Sequence, residues 1–61
     1  MDNQVVICFD EIVVNRDDLG AVLFRMDNQE IWIPRSLIGW LDEEDNEVEV
    51  PEWFAIKEEL V

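Results

Sequence analysis

Ala21-Val22-Leu23-Phe24-Arg25-Met26-Asp27-Asn28-Gln29-Glu30-Ile31-Trp32-Ile33-Pro34 is the stretch whose reading decides the fold. AVLFRM is β-branched, aromatic and too short for a convincing helix, so it is expected to form a strand. Asp27 to Glu30 is a turn in which Asn28 can take a left-handed conformation, and Glu30 to Ile33 returns as the next strand. The two strands should pair antiparallel. Pro34 lacks the amide that a sheet ladder needs, so it ends the second strand in a turn or a single helical turn over Pro34 to Ser36.

Reading outward, Asn15 to Gly20 is a cluster of turn formers, and Gln4 to Val14 before it forms a long first strand. Val5, Ile7 and Phe9 share one parity while Ile12 and Val14 share the other. A bulge or sharp bend near Asp10 and Glu11 would let both sets face one core. After the proline, Leu37 to Leu41 resumes an apolar run that Gly39 bends. Glu47 to Val50 alternates charged with apolar residues and is the last strand.

Pro51 stands where a helix can start, and Glu52 suits the positive end of the helix dipole. Trp53, Ile56 and Leu60 follow at helical spacing as its expected packing face. A helix of about ten residues is below the roughly 12 to 15 needed for marginal stability in water, so packing must hold it. The fold class expected is a β-rich α+β domain spanning residues 1–61. Four or five antiparallel strands form a small, partly open barrel or curved sheet, closed by one short C-terminal helix.

At 61 residues with 49% hydrophobic content, three Trp and three Phe, the chain can fold as a single domain. Cys8 has no partner for an internal disulfide and lies in an apolar run, so it is expected as a reduced, buried thiol in a cytoplasmic protein. No secretion signal or membrane-spanning run is visible. The three tryptophans are expected in the core. Trp32, however, alternates with Ile31 and Ile33, which leaves two outcomes open: a barrel closing around both faces, or an exposed anchor for a partner or a second copy.

The net charge is −12. Residues 42–61 hold nine acids against Lys57, and residues 1–41 hold seven against Arg16, Arg25 and Arg35. That balance disfavours direct binding to nucleic acid or to an anionic membrane, both of which reward clustered basic residues. It favours a basic partner. The strongest run contains Asp42, Glu43, Glu44, Asp45, Glu47 and Glu49, which is either a solubilising face or a ligand for a basic groove. Glu47 and Glu49 would project from one strand face about 6.8 Å apart, a fixed array comparable to a nucleic-acid backbone.

Catalysis is not expected. The chain has no His, Tyr or Thr and one serine, so a nucleophile would lack the usual imidazole base. No cofactor is implied. Asp42, Glu44 and Asn46 fit the first, third and fifth positions of a calcium loop, but Glu47 replaces the required glycine and Trp53 the closing glutamate. A zinc site of the usual form is not expected, since the chain has one cysteine and no histidine.

The segments Asp27-Asn28-Gln29-Glu30-Ile31-Trp32-Ile33-Pro34-Arg35-Ser36 and Val48-Glu49-Val50-Pro51-Glu52-Trp53-Phe54-Ala55 resemble a loose group of small bacteriophage and prophage proteins. In that group a strand ending in W-I-P-[KR]-S precedes an acidic stretch and a V-P-x-W-x-A helix start. The resemblance covers roughly residues 20–60. It departs at the turn, where many members have Gly and this chain has Asn28-Gln29. It implies a phage-encoded accessory protein, a class that includes inhibitors of host defence such as anti-CRISPR proteins, acting in the host cytoplasm. The other function class left open is a structural or assembly adaptor working through Trp32 or a sheet edge, including as a homodimer.

Overall fold

The computed structural model describes residues 3–60. Six strands and one helix follow in order: β1 (Gln4–Cys8), β2 (Glu11–Val14), β3 (Ala21–Met26), β4 (Gln29–Pro34), β5 (Trp40–Asp42), β6 (Glu47–Pro51) and α1 (Glu52–Lys57). They form two three-stranded antiparallel sheets, β1-β6-β5 and β2-β3-β4. The expected β-rich domain with a closing helix is therefore observed, as curved sheets and not as a closed barrel. The first long strand is split, which brings the strand count to six.

The split lies where the parity of the apolar residues changes. Asp10 is a bend between β1 and β2, and the chain crosses there from one sheet to the other, so Ile7, Phe9 and Ile12 all reach one core. A second irregularity was not expected. The β2–β3 register shifts between Ile12 and Val14, a bulge at Val13 that sets Val14 opposite Leu23 on the outer face. Val14 therefore does not join Ile12 in the core.

Between β3 and β4 the loop contracts to Asp27 and Asn28, with φ of 51° and 63°. Two successive left-handed residues match the type I′ turn that suits the right-handed twist of a two-residue hairpin. Pro34 ends β4 and a 3-10 turn over Arg35–Leu37 follows. From that turn Arg35 reaches back to the β2–β3 connection. Its Nε donates to Leu19 O at 2.8 Å, and its Nη2 donates to Asn15 Oδ1 at 2.8 Å and Arg16 O at 2.6 Å. A segment with no ladder of its own is thereby tied down.

Ile7, Phe9, Val22, Phe24, Met26, Ile31, Ile33, Val48, Val50, Phe54 and Ala55 form the core. No polar side chain is buried among the described residues. Phe9 meets Phe24 edge-on, with centroids 4.8 Å apart, which joins the two sheets.

Three burial expectations are corrected. Trp40 and Trp53 are 41% and 47% exposed, not core, and of the two outcomes left open for Trp32 the exposed one is observed, at 49%. Each strand of a two-layer fold buries one parity, and Trp32 opposes Ile31 and Ile33 just as Trp40 opposes Leu41. Cys8 is exposed for the same reason, since Ile7 and Phe9 hold the inward parity. In α1 the buried residues are Phe54 and Ala55, whereas Trp53 and Ile56 face outward. The helix sits against β1 and β6 and is only six residues long, so it presents one narrow side to them.

Candidate partner-binding surface

Strand parity decides which side chains share the outer face of the β1-β6-β5 sheet. Val48 and Val50 are fully buried, so Glu47 and Glu49 must point outward. Directly opposed residues share a face, and the register pairs Cys8 and Asp42 with Glu47, and Val6 and Trp40 with Glu49. This face carries Asp42, Glu47 and Glu49 beside exposed Val6, Cys8 and Trp40.

The hairpin loop Glu43–Asn46 extends the acidic row. Asp42 Oδ1 accepts from the amides of Glu44 at 2.9 Å and Asp45 at 3.1 Å, and Asn46 closes the loop with φ of 56°. The Asp42 side chain thus shapes the turn that displays Glu43, Glu44 and Asp45 to solvent. Asn46 also fastens the loop to the β1–β2 bend: Phe9 N donates to Asn46 O at 2.9 Å, and Asn46 Nδ2 donates to Asp10 O at 3.2 Å. All six acids expected to form one surface are brought together. Trp32 is not with them, because it lies on the outer face of the other sheet, opposite Leu23.

Oxygen atoms of Asp42, Asp45 and Glu47 lie within 4.8 Å of one another. Opposed like charges are unfavourable across a strand pair, and here no basic side chain answers them. The ion pairs among the described residues are Arg16–Asp18, Arg25–Glu11 and Arg25–Glu30, none of which touches the six acids. Arg25 is held above its ordinary pKa by its hydrogen bond to Glu30 and the charge of Glu11. Of Asp42, Glu44 and Asn46, the positions that fit the calcium-loop spacing, only Asp42 belongs to this group.

Two features of the surface lie beyond sequence reasoning. Trp40 Nε1 donates to Glu49 Oε2 at 3.0 Å, so Trp40 orients an acid instead of filling the core. A shallow groove of about 270 Å³ opens beside the hairpin, lined by Phe9, Asp10, Glu11, Ile12, Glu43 and Asn46. Its residues come from two distant segments, which only the fold joins. Among the described residues, no helix is long and apolar enough to cross a membrane. Set against models of known protein families, curated proteins and solved structures, the chain matches none of them.

Proposed function

We propose that the chain is a small, non-catalytic, acidic accessory protein of phage type that binds a basic, nucleic-acid-handling host protein in the host cytoplasm. It acts as an anti-defence inhibitor, such as an anti-CRISPR, by offering carboxylates where the partner expects phosphates. One observation carries this reading: Asp42, Glu43, Glu44, Asp45, Glu47 and Glu49 occupy one face and its adjoining loop with no ion pair among the described residues, while the salt-bridged arginines lie elsewhere. Uncompensated like charges repel one another within the fold, whereas complementary charge on a partner speeds association and orients it. The hairpin is already ordered by Asp42 and Asn46, so little conformational entropy is lost on binding.

Affinity capture from host cells, followed by elution over a salt gradient, tests the reading. The expected product is a basic nucleic-acid-binding protein that elutes at moderate salt and is lost with Glu47→Lys/Glu49→Lys. Capture unaffected by that reversal and by salt sinks the mechanism.

A second reading is favoured by the opposite face. There Val14, Leu23 and Trp32 form an apolar row across β2, β3 and β4, and Trp32 is 49% exposed. That row suits a structural adaptor or a homodimer. Sedimentation that returns the monomer mass at every concentration, with partner binding indifferent to Trp32→Ala, removes this alternative.

A further inference from the structure

We infer that the groove between the β1–β2 bend and the acidic hairpin receives one cationic side chain of the arginine type from the basic partner. This rests on the acidic-surface reading and gives it a specific position. The groove has a volume of about 270 Å³. That is below the ~300–1,000 Å³ usual for cofactor and drug-sized ligand sites, and it suits a single side chain.

Its lining is amphipathic in the same sense as an arginine. Phe9, 5% exposed and set edge-on against Phe24, provides a fixed apolar floor together with half-buried Ile12. Asp10, Glu11 and Glu43 supply carboxylates, and no basic residue lines the groove. Glu11 is ion-paired with Arg25, whose charge Asp10 also feels without pairing to it, so Asp10 on one lip and Glu43 on the other are the lining acids without an ion pair and take the incoming charge. An arginine lays its methylene stem on apolar surface, and its weakly hydrated, planar head offers several donors to carboxylates on either side.

The lips are also held at a set separation. Asp10 N donates to Arg25 O at 2.8 Å, Phe9 N donates to Asn46 O at 2.9 Å, and Asn46 Nδ2 donates to Asp10 O at 3.2 Å. The bend and the hairpin therefore form one unit, and the groove is open before any partner arrives. Glu43 belongs both to the groove and to the acidic row, so an inserted arginine would bring neighbouring basic residues onto Asp42, Glu47 and Glu49.

The test titrates isotopically labelled protein at low salt with a capped tetra-arginine peptide and with its lysine counterpart. The variants are Asp10→Asn/Glu43→Gln, Glu47→Gln/Glu49→Gln, and Glu58→Gln/Glu59→Gln, the last removing equal charge from the C-terminal end. The expected result is a shift of the Phe9 ring and Ile12 methyl signals with the arginine peptide. Affinity should fall by about fivefold more in Asp10→Asn/Glu43→Gln than in the control. Should the bend variant unfold, Glu43→Gln alone, in an exposed loop, carries the comparison. Equal losses in the groove variant and the control, no ring or methyl shift, or equal binding of the lysine peptide each overturns the groove. If Glu47→Gln/Glu49→Gln still weakens binding in those cases, the acidic-surface reading survives; if it does not, both fall.

Discussion

Trp40 Nε1 donates to Glu49 Oε2 at 3.0 Å across the β5–β6 pair, and the same carboxylate lies over Gly39, where a Cβ would collide with it. The tryptophan thus fixes the rotamer of a surface acid, and the glycine leaves room for it. Trp40→Phe keeps the ring and removes the donor, so it should lower unfolding free energy by about 0.5–1 kcal/mol in urea titrations. Gly39→Ala displaces the same carboxylate, but it also narrows the unfolded ensemble, which offsets part of the loss. Because both changes remove one bond, the double variant should lose less than the two single losses combined. Strict additivity would show that the bond contributes nothing.

The unanswered charge at Asp42, Asp45 and Glu47 makes a prediction of opposite sign. Glu47→Gln relieves a directly opposed like-charge pair, so it should raise stability by about 0.2–1 kcal/mol. The gain should shrink at high salt, where the repulsion is screened. Urea titrations at two ionic strengths measure it. The same variant should bind a basic partner less well, so stability and binding move in opposite directions.

The helix supplies a sharper contrast. Phe54 is 6% exposed, whereas Trp53 beside it is 47% exposed and meets Phe54 edge-on with centroids 5.9 Å apart. Phe54→Ala should cost about 3–5 kcal/mol, enough to unfold much of a domain this small. Trp53→Ala should cost about 1 kcal/mol or less. Thermal melts of the two variants distinguish the observed packing face from the one that spacing suggests, of whose members Leu60 packs against the core while Trp53 and Ile56 do not.

That contrast shows where the sequence was legible. The β3–β4 hairpin and the outward set of Glu47 and Glu49 could be read because several alternating residues agree: Val22, Phe24, Ile31 and Ile33 fill one side, as do Val48 and Val50. Hydrophobicity alone would bury Trp40 and Cys8, but strand parity governs, and Leu41 and Ile7 claim the inward positions. In α1, six residues are too few for a period to separate Phe54 from Trp53. The Arg35 bonds to Leu19, Asn15 and Arg16 depend on a contact between distant segments, and so does the groove beside Asn46. No local pattern encodes either.

The two-residue turn is the simplest local test. Asp27 and Asn28 both carry positive φ, a conformation that Gly occupies without penalty. Asn28→Gly produces the Asp-Gly pair favoured in type I′ turns and should stabilise the fold by roughly 0.5 kcal/mol. For a domain of this size that is a rise of about 2–4 °C in melting temperature. A fall would mean that the Asn28 side chain contributes more than its backbone costs.

Glu59 combines two unfavourable features at the end of α1. Its φ is 58°, and it stands at the left-handed position of a Schellman motif in which Leu60 N donates to Ala55 O at 2.7 Å and Glu59 N donates to Ile56 O at 3.1 Å. A β-carbon is strained there, and a negative charge next to Glu58 opposes the dipole at the helix C-terminus. Glu59→Gly removes both and should raise stability by about 1 kcal/mol. Glu59→Gln removes only the charge, so it should recover about 0.3–0.5 kcal/mol and lose that gain as salt rises. Equal stabilisation by the two variants at high salt would show that the backbone position carries no strain, and that the closing turn is limited by charge alone.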